Sequence, residues 1–362
     1  MSAYPGSEGE RRFAAATLQS ITQSIFERVG MPPQDAHLLA HTLVWADLRG
    51  VHSHGVMRVP EYVRRLTEGG VNPAGRPRVL NDVGAALLVD GGNSMGQIGG
   101  TFAMRQAIER ARTTGVAAAA LRGSNHCGAL AYYAMLALAA DMIGVAATNA
   151  LPTMAPWGGV DALLGLNPLA VAIPAGEEPP LVLDISFGAA ARGKIVVYQQ
   201  KGLPLPEGWA FDADGRPTTD AVRALDGLIQ PIGGYKGTGL ALVIGILASV
   251  LSGAGYGTEF GSVEEGARAG QDGQFFLAIN VAAFEDAATF KRRVDGIIRQ
   301  IHASRRAPGA ARIYVPGELE HETAAMYRRE GIPLNAATLA GIVAAAARLG
   351  VDPAPLEHGP AV

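Results

Sequence analysis

The middle of the chain alternates short apolar runs with helical patterns, and this alternation limits the possible folds more than any other feature. Several of the runs are rich in β-branched residues and are bounded by Gly, Pro or Asn: ALLVD (86–90), VAAAAL (116–121), IGVAATN (143–149), LAVAIP (169–174), LVLDI (181–185) and QFFLAIN (274–280). Such runs are typical of buried strands. Helical patterns such as TFAMRQAIERARTTG separate several of them. The sequence therefore predicts an α/β fold.

Both ends of the chain have helical patterns. Residues 11–70 carry apolar positions at three- and four-residue spacing, and glycines stand where the predicted helices end. Pro33 is well placed as the first residue of the second helix, and Ser53 as the N-cap of the third. Further helices are predicted over 238–252, 282–303 and 336–349, the last one capped by Asn335.

The length of 362 residues is enough for two or three lobes. We expect a helical N-terminal lobe over 1–80 that packs with a helical C-terminal region over 282–362, and an α/β domain over 81–281. Ligand sites in such proteins favour the crevice between lobes.

Composition and charge exclude several classes of function. A formal net charge of −3 gives no electrostatic reason to expect nucleic acid or an anionic membrane as partner. Cys127 is the only cysteine, which excludes an internal disulfide and a four-thiolate zinc site and fits a reducing, cytoplasmic location. His37 and His41 have the spacing of a metal pair, but no third ligand partners them in sequence, so we expect no metal site. The charge-free stretch 237–258 has an apolar centre shorter than the ~20 residues of a membrane span, which favours a buried helix.

The first group of chemically active residues lies in DLRGVHSHGVMRVPEY (47–62). If a helix begins at Ser53, then His54, Arg58 and Tyr62 recur every four residues and share one face. An imidazole that titrates near neutral pH would then stand beside a guanidinium that suits a carboxylate. This arrangement suits reduction of an oxo acid, with Arg58 holding the carboxylate and His54 supplying the proton. A polar face on a surface helix is the alternative.

Two further segments lie at predicted strand ends. GSNHCG (123–128) places His126 in the loop after a strand, where α/β proteins carry functional groups, although it could equally be satisfied within a tight turn. In LVLDISFGAAARGK (181–194), small residues after Asp184 would let backbone N–H groups approach an anion. The alternative is that Asp184 only caps the helix that follows.

The segment PIGGYKGTGLAL (231–242) sets Tyr235 and Lys236 among glycines at the start of a helix. A lysine in that position is typical of a phosphate site, and a flexible surface loop is the alternative. No strand is followed by G-x-G-x-x-G. Any dinucleotide site must therefore be built in another way.

Together these segments resemble the second type of malate/L-lactate dehydrogenases, a family that also holds L-sulfolactate dehydrogenase, ureidoglycolate dehydrogenase, 2,3-diketo-L-gulonate reductase and Δ1-piperideine-2-carboxylate reductase. The likeness runs from about residue 12 to 345 and rests on ordered matches that include DLRGVHSHGVMRVPEYVRRLTEGGVNP, GSNHCGALAYYA, LVLDISFGAAARGKI, GGYKGTGLAL and VPGE. The resemblance implies a non-Rossmann, mixed-sheet α/β fold like that of L-sulfolactate dehydrogenase, with NAD(P) bound by domain 81–281. It implies a homodimer that transfers a hydride between NAD(P)H and a small 2-oxo acid, with NADPH slightly preferred for a reductive role.

The resemblance also implies roles for individual residues. His54 is the expected proton donor, with Ser53 beside it, and Arg58 and Tyr62 are expected to hold the substrate. His126 matches a position credited with acid/base work in some members. The positions that match cofactor-binding residues are Asp184, Ile185, Ser186, Tyr235, Lys236, Gly317 and Glu318.

The chain departs from the common family pattern in ways that affect substrate choice. Members commonly have D-S-H-G where this chain has His52-Ser53-His54-Gly55, Ala150 replaces a frequent serine, and LVLDISFG replaces F-V-L-D-M-A-T-S. A reductase of a cyclic imino acid and a ureidoglycolate dehydrogenase remain alternatives within the same fold. Outside enzymes, the alternative is a catalytically silent NAD(P)-binding regulator, against which the retention of His54, Arg58 and His126 argues.

Overall fold

The structure is a computed structural model that describes residues 9–200, 202–262 and 266–357. Its α-helices are α1 (Ala15–Arg28), α2 (Pro33–Leu48), α3 (Val59–Thr67), α4 (Gly96–Thr114), α5 (Ala131–Leu136), α6 (Arg192–Gln200), α7 (Ala221–Leu225), α8 (Tyr235–Ala248), α9 (Ala287–His302), α10 (Glu318–Glu330), α11 (Ala336–Arg348) and α12 (Ala354–Glu357). Its strands are β1 (Arg11–Phe13), β2 (Arg78–Val83), β3 (Ala86–Asp90), β4 (Val116–Ser124), β5 (Met142–Thr148), β6 (Pro152–Met154), β7 (Leu164–Gly165), β8 (Leu169–Ile173), β9 (Leu181–Ile185), β10 (Ala210–Phe211), β11 (Pro217–Thr218), β12 (Leu228–Ile229), β13 (Gly261–Ser262), β14 (Gly266–Ala267), β15 (Asp272–Asn280) and β16 (Ile332–Leu334).

The centre of the protein is a mixed sheet. Within the described residues it has seven strands in the order β2-β3-β4-β15-β5-β8-β9, and β3 and β4 form its parallel pair while the other neighbours run antiparallel. The six apolar runs of the sequence are β3, β4, β5, β8, β9 and β15, so the α/β prediction is confirmed. β15 lies between β4 and β5, and its beginning therefore falls in the middle of the sheet.

The predicted helices form, with shifted ends. Pro33 begins α2, and the Asn335 side chain caps α11 by accepting a hydrogen bond from the Thr338 N–H at 2.8 Å. α8 begins at Tyr235, three residues before the predicted start. The polar helix α10 was not predicted, because ELEHETAAMYRRE buries only Glu318 and Ala324 and so lacks a clear apolar stripe.

The prediction of one helix from Ser53 is wrong. Residues His52–His54 and Val56–Arg58 form two short 3₁₀ turns around an extended Gly55, and α3 starts only at Val59. The buried Asp47 carboxylate at the end of α2 holds these turns, because it lies 2.7 Å from His52 Nδ1 and accepts a hydrogen bond of 2.7 Å from the Val56 N–H. His54, Arg58 and Tyr62 therefore do not share one helical face.

The helices pack in separate groups. α1, α2, α3 and α11 share one apolar core, in which Ile25, Leu39, Tyr62 and Ile342 are buried. α4 and α5 cover the sheet. α9 packs through Val294 and Ile298 on residues at the β8–β9 end of the sheet, including Ile173 and Leu181. The proposed division into domains remains a prediction.

Helix α8 is less buried than its composition predicts. Its inner side carries small residues such as Gly237, Ala241 and Gly245, while its other side exposes Leu240, Val243, Ile246 and neighbours. Together with the turn that follows, α8 forms the segment Tyr235–Ser252, whose length and composition would allow it to cross a membrane. Core helices of soluble proteins meet the same two criteria. The structure thus shows a half-exposed apolar helix rather than the buried one predicted.

Candidate active site

A cavity of about 660 Å³ lies between the N-terminal helices and the sheet. Its walls come from the turns before α3, the loop after β4, the ends of β5 and β9, the start of β15 and the start of α6. Of the residues expected at a site, the structure brings six together as lining: Ser53, His54, Arg58, His126, Asp184 and Ser186. A volume of this size is typical of small-molecule and cofactor sites.

Two parallel imidazoles dominate one wall of this cavity. The rings of His54 and His126 stack with centroids 5.6 Å apart and an angle of 14° between their planes. The Ser53 hydroxyl oxygen lies 2.9 Å from His54 Nδ1. A hydroxyl both donates and accepts, so this contact suits either protonation state of His54.

The tautomer of His126 follows from its neighbours. The Gly128 N–H can only donate, and it reaches His126 Nδ1 at 3.3 Å. Nδ1 is therefore an acceptor, the Tyr62 hydroxyl 2.6 Å away donates to the same atom, and the ring proton lies on Nε2. His126 is held as a neutral imidazole.

Tyr62 reaches the site through His126. Its side chain is buried, it is not among the residues that line the cavity in the described part of the chain, and its oxygen accepts a hydrogen bond from Gln97 Nε2 at 3.2 Å. Burial raises the pKa of Tyr62, so the phenol stays protonated and remains a donor. Tyr62 thus contacts His126 instead of lining the cavity, and its expected role as a substrate ligand remains a prediction.

Arg58 is fixed by two short hydrogen bonds. Its Nε donates to the Ser53 carbonyl at 2.7 Å, and its Nη1 donates to Glu61 Oε2 at 2.7 Å. The first bond ties the guanidinium to the turn that carries His54. An anion that enters the cavity beside Arg58 is therefore brought close to both imidazoles.

Burial and nearby positive charge keep both imidazoles neutral. Burial, then the neighbouring His126, then Arg58 lower the pKa of His54 to about 3, and Glu61 opposes them. Burial, then Arg58 and Arg65, lower the pKa of His126 to about 3. Desolvation disfavours the charged form, and the nearby guanidinium adds to this effect.

The expected cofactor residues divide into two groups. Asp184 and Ser186 line the cavity, and Asp184 Oδ2 accepts a hydrogen bond of 2.8 Å from the Ala131 N–H at the start of α5. Asp184 is exposed to the cavity, yet desolvation by the protein packed around it raises the pKa of its carboxyl group to about 6, with Arg49 among the groups that oppose this shift.

The other expected cofactor residues lie elsewhere. Ile185 points outward, and Tyr235 and Lys236 stand at the exposed start of α8. Gly317 is the N-cap of α10, while Glu318 binds His302, Arg312 and the Val315 N–H. None of these five residues lines the cavity that the described chain forms, and their cofactor role remains a prediction.

Seven other charged residues that line the cavity were given no role by the sequence analysis. They are Arg49, Glu61, Arg64, Arg65, Arg268, Asp272 and Glu320. DLRG and YVRR stood within the matched segments, so the arginines could have been found from the excess of basic residues there. Asp272 and Glu320 gave no local signal, since they reach the cavity only through the arrangement of β15 and α10.

Comparison with known proteins agrees with this site. Residues 13–343 match the family described as malate/L-lactate dehydrogenase. The chain belongs to this family. It is 40% identical to the L-sulfolactate dehydrogenase of Methanocaldococcus jannaschii over 86% of this chain and 89% of that one, and 32% identical to the Delta(1)-pyrroline-2-carboxylate/Delta(1)-piperideine-2-carboxylate reductase of Pseudomonas putida over 90% and 94%. The solved sulfolactate dehydrogenase structure from M. jannaschii superposes with a TM-score of 0.88 at 36% identity and covers 94% of this chain and 98% of that one.

Membership confirms several predictions. The protein is an NAD(P)-dependent oxidoreductase of the 2-hydroxy acid dehydrogenase kind, and its mixed-sheet fold is that of the sulfolactate and malate dehydrogenases. The sequence prediction of this family from motifs alone is therefore confirmed.

The charged lining of the cavity suits a dinucleotide. Its lining arginines are Arg49, Arg58, Arg64, Arg65, Arg192 and Arg268, and its carboxylates are Glu61, Asp184, Asp272 and Glu320. The first turn of α6 faces the cavity through Ala191, Arg192 and Gly193, and no atom lies within 4 Å of where a Cβ on Gly193 would stand. A helix N-terminus with small residues and an arginine suits a pyrophosphate, as expected for the family.

Proposed function

We propose that this malate/L-lactate dehydrogenase family member reduces a small 2-oxo acid, with Arg58 holding the substrate carboxylate and His54 supplying the proton. The observation that carries the proposal is the stacked pair His54 and His126 beside Arg58 in one cavity. When bound, the nicotinamide supplies the hydride. Asp184, Ser186 and the first turn of α6 are the residues proposed to hold it.

His54 is a better proton carrier than His126. His126 already accepts a hydrogen bond at Nδ1 from the Gly128 N–H, which can only donate, so charging that nitrogen would break this bond. His54 faces a hydroxyl that serves either protonation state. His126 then acts as a fixed Nε2–H donor that orients the substrate, and Tyr62 positions it.

Substrate binding is expected to prepare His54 for this role. A carboxylate beside Arg58 offsets one of the charges that lower the pKa of His54, so that pKa rises from about 3 when the acid binds. Proton uptake on binding follows. The charged His54 can then donate its proton to the 2-oxo oxygen as the substrate is reduced.

The second candidate within this chemistry is reduction of a cyclic imino acid. The 32% identical relative from Pseudomonas putida is named as a reductase of two such acids. Arg58 would hold the carboxylate in the same manner, since both substrate classes share that group.

A spectrophotometric screen tests the function and separates the candidates. Pyruvate, oxaloacetate, a cyclic imino acid and ureidoglycolate are each assayed at 340 nm with the matching reduced or oxidised cofactor. We expect turnover of an oxo acid in the reductive direction, with NADPH used better than NADH. No turnover of any of them, with cofactor binding intact, would favour a silent binding protein.

Arg192 is expected to contribute to cofactor affinity. Arg192→Ala removes a cation from the first turn of α6, and the loss of a charge-assisted hydrogen bond to phosphate weakens binding by about tenfold or more. The measurement is the dissociation constant of NADPH by nicotinamide fluorescence.

Lys194→Ala is the matched control, since Lys194 lies on the same helix and contacts the Trp209 ring. Its NADPH affinity should stay within about twofold of that of the unmodified protein. Lys236→Ala is a separate test of the start of α8. Weaker NADPH binding in that variant is expected if the cofactor extends there, as the sequence pattern predicts.

A homodimer and a cytoplasmic location complete the proposal. The exposed apolar side of α8 supports the dimer, because a patch of this kind on a globular protein is commonly an interface between copies. The composition with one buried cysteine supports the location.

Val243→Asp is expected to convert the dimer to a monomer, because it buries a charge in the proposed interface. Val243 is 55% exposed in the single chain. Size-exclusion chromatography with light scattering measures the mass. Phe284→Asp is the control, since Phe284 is an apolar residue that is 73% exposed outside α8, in the turn before α9. A dimer that persists in Val243→Asp would reject α8 as the interface.

A further inference from the structure

Asp272 is a buried carboxyl group in the cavity that the proposed mechanism does not use. It is 3% exposed, it lines the cavity, and its Oδ2 has no hydrogen-bond partner among the described residues. An unpaired polar atom in such a place is unfavourable unless a ligand satisfies it.

The backbone fixes where this side chain stands. β15 pairs with β4 through a bulge between Asp272 and Gln274, and a bulge re-aims the side chain next to it. Gly273 within the bulge is held on both sides, since its N–H donates to Asn149 Oδ1 and its carbonyl accepts from Thr148 Oγ1. A Cβ on Gly273 would lie 2.4 Å from the Ala248 carbonyl, so the bulge requires glycine there. The position of Asp272 is therefore built into the sheet.

The charged groups around Asp272 leave its protonation sensitive to pH. Arg65 and Glu61 face it from α3, and Cys127 faces it from the loop after β4. Arg65 is partly occupied, because its Nη2 donates to Asn125 Oδ1 at 3.1 Å. Burial raises the pKa of Asp272 to about 7, Arg65 opposes this and Glu61 adds to it. Below that pH the group is a neutral acid, and above it a carboxylate that only accepts hydrogen bonds.

We propose that Asp272 selects the substrate by binding a hydrogen-bond donor, an O–H or N–H group, on the part of the acid that Arg58 does not hold. Arg58 lies in the turn before α3 and Asp272 at the start of β15, so the two residues approach the same cavity from different elements. A plain alkyl group in the same place cannot form this hydrogen bond with the Asp272 carboxyl group, and this difference separates substrates of equal size. The inference rests on the proposed function for the identity of the acid.

Hydroxypyruvate and 2-oxobutanoate form a matched pair for the test. They differ by a hydroxyl in place of a methyl group on C3. We expect the kcat/KM ratio of hydroxypyruvate to 2-oxobutanoate to exceed about 10 in the unmodified protein at pH 8 and to fall by about tenfold or more in Asp272→Asn and Asp272→Ala. The kcat/KM for 2-oxobutanoate should change less than about threefold. In the unmodified protein the ratio should rise with pH through about 7, whereas in Asp272→Asn it should be flat.

Asp295→Asn is the control for loss of a buried carboxylate, since Asp295 lies outside the cavity and accepts from the N–H groups of Gly176, Glu177 and Glu178. Its substrate ratio should equal that of the unmodified protein. An unchanged kcat/KM ratio in both Asp272 variants would overturn the inference. A kcat/KM that falls by the same factor for both substrates would overturn it as well. If the unmodified protein reduces neither acid, the proposed function fails. The inference is then decided by the dissociation constants of glycerate and 2-hydroxybutanoate, which also differ by a hydroxyl in place of a methyl group. Glycerate should bind more tightly than 2-hydroxybutanoate only when Asp272 is present.

Discussion

His54→Ala is expected to reduce kcat by about 10²–10⁴-fold while the dissociation constant of NADPH stays within a few-fold. The reason is that His54 is the imidazole beside Arg58 whose Nδ1 partner, Ser53, accommodates both protonation states. Stopped-flow reduction of an oxo acid measures the rate, and nicotinamide fluorescence measures the binding. The same variant should lose the proton uptake that accompanies substrate binding.

Two further variants make this result specific. His126→Asn removes the stacked ring and its bond to Tyr62, and it should raise KM together with a smaller loss in kcat, since His126 orients the substrate. His37→Ala is the control, because His37 bonds Gln23 outside the cavity and should leave both constants unchanged. If kcat falls by less than tenfold in His54→Ala, the proton donor is His126 or water instead of His54.

Arg58→Lys is expected to lower kcat/KM for the acid substrate by about 10²-fold, although the positive charge is kept. A guanidinium grips a carboxylate through two parallel hydrogen bonds, which a lysine cannot reproduce, and a small misplacement of the substrate is enough to slow the reaction by this factor. The variant also loses the bond from Nε to the Ser53 carbonyl that ties the guanidinium to the turn of His54. Steady-state kinetics on one oxo acid provide the measurement.

A neutral analogue of the same acid distinguishes loss of the contact between Arg58 and the carboxylate from a general loss of structure. An amide or ester should be a poor substrate of the unmodified protein and should not become worse in Arg58→Lys. Arg110→Lys is the matched control, since Arg110 forms its ion pair with Asp82 and neither residue lines the cavity. If the unmodified protein reduces the acid and its amide equally well, Arg58 is not a carboxylate clamp.

Local patterns predicted the parts of the molecule that are decided by local forces. Apolar β-branched runs became β3, β5, β8 and β9, because short runs of this composition favour strands covered on both faces of a sheet. Pro33 and Asn335 marked helix starts because their effects act within a few residues along the chain. The family followed from ordered motifs, and the missing glycine fingerprint already pointed away from the Rossmann fold.

The start of α3 shows where such patterns fail. Ser53 is a good helix cap by type, yet the two 3₁₀ turns prevail because Asp47, which precedes Val56 by nine residues, takes its N–H. His52 is part of the same arrangement through its contact of 2.7 Å with Asp47. A buried carboxylate that must be satisfied outweighs the preference of one capping residue.

The sequence by itself determined the secondary structure of the sheet, the family and the residue types that carry the chemistry. Only the tertiary structure decided what these residues do to one another. Tyr62 and His126 are 64 positions apart and meet at 2.6 Å, and Asp272 reaches the same cavity from a third element. Hydrogen bonds and desolvation depend on distances of a few ångströms in space, and these are set by how the strands and helices pack rather than by spacing along the chain.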